Sequence, residues 1–183
     1  MTATLDELLN QLRTTDNQMA IQVVDKLRTM GWLTDGSMQG VGLCKVRLQG
    51  ANLSGANLCV AGLHQANLEW ADLSGAILRG TKLSLCNLSG ANLKDAKIEN
   101  ADFYKASLRR VKNLTDDQLR SAARLWGAIM PDNKRYDGRF SLFGDLVLAQ
   151  WNNVDTSDSR AMAEFYGVPL DIYTVGQLEK IPE

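Results

Sequence analysis

Every fifth residue from Leu43 to Leu108 is large and apolar: Leu43, Leu48, Leu53, Leu58, Leu63, Leu68, Leu73, Leu78, Leu83, Leu88, Leu93, Ile98, Phe103 and Leu108. Two positions before each stands a smaller residue, in most cases Ala, with Val41, Val46, Thr81 and Cys86 as the variants. A helix repeats at 3.6 residues and a strand at two, so neither explains a strict period of five. A chain that points two residues in five inward must bend once per pentad. Four such sides close a square, and residues twenty apart then stack. The large side chain fills the tube and the small one fits beside the bend. Stacked turns would pair their backbones about 4.8 Å apart. Fourteen pentads make about three and a half coils, a rod roughly 17 Å long. The other positions are rich in Asn, Asp, Ser, Gly, Lys and Glu, which suit solvent, and Asn and Gly suit the bends.

The stretches Gln-Gly-Ala-Asn-Leu-Ser-Gly-Ala-Asn-Leu (49–58) and Ser-Gly-Ala-Asn-Leu-Lys-Asp-Ala (89–96) resemble the A-[ND]-L-x-x signature of the pentapeptide-repeat family. The flanking stretches Gly-Trp-Leu-Thr-Asp-Gly-Ser (31–37), Leu-Thr-Asp-Asp-Gln-Leu (114–119), Met-Pro-Asp (130–132) and Tyr-Asp-Gly-Arg-Phe (136–140) are similar to those of cyanobacterial members with helical extensions. The expected fold class is mainly β. It is a right-handed quadrilateral parallel β-helix, a pentapeptide-repeat solenoid, with an α-helical N-terminal cap and an α-helical C-terminal extension.

Three segments are expected: a helical cap over 1–38, the repeat over 39–112 and a helical extension over 113–183. In the first, Leu5–Leu12 and Met19–Met30 have helical spacing, Asp16 is placed to cap the second helix, and Gly31 ends it. Trp32 and Leu33 are expected to cover the first coil, because an open coil end exposes unpaired backbone. The register fails after Arg110, since the next central position is Asn113. Thr115 and Gln118 form a capping-box pattern opening a helix with Leu119, Ala122, Ala123 and Trp126 on one side. Leu142–Trp151, Ser157–Tyr166 and Pro169–Leu178 read as further helices, the second ended by Gly167. Trp126, Trp151, Phe165, Tyr166 and Tyr173 either pack as a tail lobe or in part await a partner; packing is favoured, because aromatic residues at helical spacing are usually core.

Chemistry is sparse. The one histidine, His64, shares an outward column with Cys44, Ser84 and Tyr104, at twenty-residue spacing. A Cys and a His on an open face supply neither a closed zinc shell nor a pocket that excludes water. Cys59 faces outward on another side and Cys86 inward, so no disulfide is expected. A tube filled with Leu and Ala has no cavity, and no phosphate-cradling glycine loop is present. No catalytic residue, cofactor or metal is therefore expected, and the chain is read as not an enzyme. Arg79 with Glu99, and Lys82 with Asp102, should pair along the surface for about 0–1 kcal/mol each. The outward positions that break the polar rule are Val60, Trp70, Ile77, Leu85 and Tyr104. They are the candidate protein-interaction surface, with burial beneath a terminal extension as the competing reading for Trp70.

Charge narrows the partner. The whole chain carries −1, yet residues 39–110 hold nine Lys and Arg against five Asp and Glu, a net +4. The cations are scattered, so no nucleic-acid partner is expected. Apolar runs are too short to enter a membrane, and the N-terminus lacks a signal-like segment, which reads as cytoplasmic. The resemblance to cyanobacterial members implies a scaffold or adaptor associated with a photosynthetic antenna or membrane complex, at the periphery of thylakoid membranes. Some relatives imply an alternative, a topoisomerase- or gyrase-directed effector that mimics DNA. Mimicry needs dense negative charge. The repeat is not acidic.

Overall fold

The structure, a computed structural model, describes residues 3–14 and 16–178. Two helices precede the repeat, α1 (Leu5–Thr14) and α2 (Asn17–Thr29), and Asp16 caps α2 by accepting from the Met19 N–H at 3.0 Å. Four follow residue 115: α3 (Asp116–Arg120), α4 (Phe143–Trp151), α5 (Ser159–Tyr166) and α6 (Leu170–Leu178). Gly167, left-handed at φ 68°, stops α5.

Between the helical ends the chain winds as a four-sided coil. All fourteen central residues from Leu43 to Leu108 are buried, as are the Ala, Thr81 and Cys86 positions before them. The fifth residue of each side takes positive φ, whether it is Gly55 (67°), Asp95 (56°) or Val60 (51°). The next N–H closes a turn onto the central carbonyl, as in Ala56 to Leu53 at 3.0 Å. Positive φ at that position is what a type II turn demands, which explains the five glycines and Asn100 there. The Asn or Asp before the central residue has its own task. Its Oδ1 accepts the N–H two residues on, as in Asp72 to Ser74 (3.0 Å) and Asp102 to Tyr104 (3.0 Å), and this tightens each bend.

The mainly β expectation needs correction. Among the described residues no β-strand or sheet forms, so the repeat is not a parallel β-helix in the sense of stacked sheets. Successive turns meet at isolated parallel bridges twenty residues apart, such as Asn52↔Asp72, Asp72↔Asn92 and Lys82↔Asp102. The reason is length. Each five-residue side spends its last residues on the corner, which leaves one position extended enough to bridge both neighbours. The hydrogen bonds between turns persist regardless, as in Leu63 N–H to Lys82 carbonyl at 2.9 Å.

Each end is closed by side chains. Pairing on the N-terminal edge would otherwise leave carbonyls of the first turn without donors. Arg13 Nε donates to Gly42 O (2.9 Å), Asn17 Nδ2 to Gln49 O (3.0 Å), and Arg28 Nη2 to Asn52 O (2.7 Å). Leu33 is fully buried and its carbonyl accepts from Asn57, whereas Trp32 is only half-buried.

The C-terminal end departs from expectation. α3 spans only five residues, with its Thr115–Gln118 capping box in place. The coil then resumes: Arg124 bridges Asp102 and Ile129 bridges Ser107, a spacing of twenty-two. Leu125 and Met130 fill central positions, and Gly127 (φ 72°) makes the corner between them. Trp126 therefore belongs to the coil, not to a helix with Leu119. Asp145 of α4 closes this edge by accepting from Leu125 N (3.1 Å) and Trp126 N (2.9 Å).

Candidate interaction surface

The five outward apolar residues do not form one patch. Val60, Trp70 and Leu85 are exposed, each on a left-handed corner (φ 51°, 59° and 61°). Ile77 is half-buried on a flat side, with its backbone bridged to Asn57 and Lys97. Tyr104 is half-buried beneath Trp126, whose ring stacks on it at 5.4 Å and 16°. The Arg124 guanidinium, 4.6 Å from the Tyr104 ring, closes the same cluster. Tyr104 is thus covered by the resumed coil, and the column Cys44, His64, Ser84, Tyr104 runs on into Trp126.

Trp70 lies open. It is 54% exposed, and no terminal helix covers it. Its indole lies over the next corner of its column, Gly90, where an added Cβ would sit 2.3 Å from the ring. Lys112 Nζ stands 5.9 Å from the ring centre. A left-handed conformation costs a residue other than Gly about 1–2 kcal/mol, and for a β-branched residue such as Val60 it is an outlier. Apolar residues here are disfavoured twice, by backbone and by solvent.

The remaining chemical groups are dispersed. His64 Nδ1 lies 2.8 Å from Ser84 Oγ, while the exposed Cys44 Sγ is 3.8 Å from the Gly62 carbonyl. Cys86 is buried with its Sγ against the Leu63 carbonyl, and burial pushes its thiol up to about 12. Among the described residues no three His, Cys, Asp or Glu gather as a metal site. Among the described residues no helix is long and apolar enough to cross a membrane. Arg79 pairs with Glu99 (3.0 Å), but the expected Lys82–Asp102 pair is not formed, because Asp102 is taken by Arg124 Nε at 3.0 Å.

Of the tail aromatics, Trp126, Phe165, Tyr166 and Tyr173 pack in sequence, and Trp126 Nε1 donates to the Phe165 carbonyl at 2.9 Å. Tyr136 joins them edge-on to Tyr166. Trp151 does not: it is 78% exposed and Phe143 is 81% exposed. With Val147 they form an apolar ridge along α4, beside a groove of about 250 Å³ that reaches Ala123 and Gly144. Packing, the favoured expectation for the tail aromatics, thus holds for four of the five and not for Trp151. The signal of the ridge was the stretch Leu-Phe-Gly-Asp-Leu-Val-Leu-Ala-Gln-Trp, whose only polar side chains are the buried Asp145 and the exposed Gln150. A second cavity, of about 410 Å³, lies between the loop carrying Arg135, Asp137 and Arg139 and the start of α6 at Ile172 and Val175. Asp137 and Arg139 are paired across its wall at 2.8 Å.

The sequence profile described as pentapeptide repeats matches residues 43–80 and 78–110, with eight copies. Three solved structures are similar to this chain. One is alr5209, a pentapeptide repeat protein from Nostoc Pcc 7120, with 30% identity over 60% of this chain and 74% of that one, at a TM-score of 0.31. A second is Rfr23, a pentapeptide repeat protein from the cyanobacterium Cyanothece 51142, with 24% identity over 51% and 86%, at a TM-score of 0.22. The third is QnrB1, a plasmid-mediated fluoroquinolone resistance protein, with 18% identity over 49% and 58%, at a TM-score of 0.24. No curated protein matches. The five-residue inward pattern, the left-handed corners and the matched copies agree on one conclusion: this chain belongs to the pentapeptide-repeat family.

Proposed function

We propose that the protein is a non-catalytic scaffold or adaptor that binds another protein through the side of its coil. The observation that carries this reading is Trp70: a large aromatic, open to solvent, on a corner whose backbone favours Gly or Asn. Interface energy concentrates in such aromatic anchors. The α4 ridge of Phe143, Val147 and Trp151 offers a second surface. The resemblance of the flanking segments to cyanobacterial members makes a photosynthetic antenna or membrane complex the first partner to examine. A DNA mimic directed at a topoisomerase is opposed by the net +4 of residues 39–110.

The test places a photo-crosslinking benzoylphenylalanine at position 70, 151 or 97 of the protein in its own cell. Adducts with a protein partner are expected at 70 or 151, with none at 97. No adduct at either aromatic position would sink the scaffold reading.

A further inference from the structure

The corner below Trp70 is basic. Arg110 occupies the same column two turns on, and Arg109 and Lys112 flank it on the adjoining sides; all three are exposed. None of the three carries an ion pair among the described residues. Lys112 leans toward the indole rather than toward a carboxylate. At the level of the ring the charge reverses. Glu69 and Asp72 sit on either side of Trp70, both half-buried, and Asp72 is held by the Ser74 N–H and Asn92 Nδ2, each at 3.0 Å. Burial opposes these bonds, but the Asp72 carboxyl stays below its ordinary range and thus ionised at neutral pH.

We propose that this corner docks an acidic segment of a partner protein, with an apolar side chain on the Trp70 face and carboxylates on Arg109, Arg110 and Lys112. This rests on the scaffold reading above and gives the partner its chemistry. Two turns separate the Trp70 and Arg110 corners, about 10 Å at the usual spacing, which an extended segment spans in about three residues. A uniformly anionic partner fits less well. A nucleic-acid backbone or an anionic bilayer would bring negative charge against Glu69 and Asp72 as well as against the cations, whereas a protein segment can be acidic at one end only. Gly90 lets the indole lie flat over its corner, and the part of the ring turned away from Gly90 stays open to an apolar contact, Trp70 being 54% exposed.

The probe is a fluorescein-labelled synthetic peptide of glutamates at one end and leucine with neutral residues at the other, titrated with the full chain and followed by anisotropy. Saturable binding that weakens with added salt is expected. Trp70→Ala and the double variant Arg109→Glu with Lys112→Glu should each weaken it by roughly tenfold, and Lys97→Glu, a charge reversal on the far side, should leave it unchanged. Thermal melts confirm that the variants stay folded, since every altered side chain is exposed. The proposal fails if Lys97→Glu weakens binding as much as the corner variants. It fails equally if Trp70→Ala has no effect, if the peptide does not bind, or if labelled oligothymidylate or phosphatidylglycerol vesicles bind more tightly than the peptide. A protein crosslinked at position 70 through a basic surface would overturn this inference while leaving the scaffold reading intact. Absence of both peptide binding and crosslinks overturns both.

Discussion

At the scale of single residues the coil enforces a sharp distinction between neighbours in sequence. Leu73 is fully buried in the middle of the tube, whereas Ser74 beside it is part-exposed on the outer face. Leu73→Lys would place an unpaired charge in the core and should cost about 4 kcal/mol or more, enough to unfold the array. Ser74→Lys should change stability by less than about 0.5 kcal/mol. Thermal melts of the two variants decide this, and matching wild-type curves for both would show the register to be wrong. The corners offer a subtler case. Asn tolerates left-handed backbone where Val does not, so Val60→Asn should raise stability by about 0.5–1 kcal/mol in urea unfolding. An unchanged or lower midpoint would mean that Val60 contacts with Gly40 and Gly80 outweigh the relief of strain.

At the scale of elements, the helices act as lids that supply hydrogen-bond partners. Arg28 on α2 serves Asn52 O and, at 3.3 Å, Ser54 O. Arg28→Ala leaves both without that donor and should cost about 1–2 kcal/mol. Hydrogen exchange should then speed up in residues 48–58 first; uniform exchange across the coil would contradict this role. Much of the element scale was legible beforehand. The strict period from Leu43 located the buried side chains, and Asp16, Thr115 and Gly167 marked helix ends, because each has one local physical task. Two things were hidden. Ala-Arg-Leu-Trp-Gly (123–127) and Ala-Ile-Met-Pro-Asp (128–132) repeat the pattern, but α3 displaces them by two residues, so a fixed count from Leu43 passes over them. The absence of strands was equally invisible, since spacing reports which side chains point inward and not how many residues remain extended between corners. Among the candidate surface residues, Trp70 holds a corner of the register and Tyr104 the position just after a central residue, but the register does not say what covers either. Only the return of the chain at Trp126 separates the open one from the covered one.

At the scale of the whole molecule, stability depends on how the last turn is closed. Asp145 is fully buried, and burial pushes its carboxyl up to about 7 against the bonds from Trp126 and Leu125 and the nearby Arg124 charge. Folding therefore favours the protonated acid. The stabilising contribution is complete below the ordinary aspartate value of 3.8 and is lost as pH rises through about 7. Asp145→Asn keeps one acceptor and cannot titrate. Wild type should lose midpoint temperature relative to this variant between those pH values, and parallel curves would rule the coupling out. Asp145→Ala strands two N–H groups and should cost about 2–3 kcal/mol at the acid end of that range, the gap to wild type narrowing as pH rises.

The stacking of turns along one axis also has a mechanical consequence. Tension applied between the two ends pulls along the line of the bonds that join one turn to the next, so those bonds yield in sequence and not all together. Each release frees a twenty-residue loop, about 70 Å of chain at the extended rise per residue. Stretched in a force clamp, the repeat should lengthen as a staircase of equal steps. Its first step should come from whichever lid lets go sooner, the Arg13–Asn17–Arg28 side or Asp145.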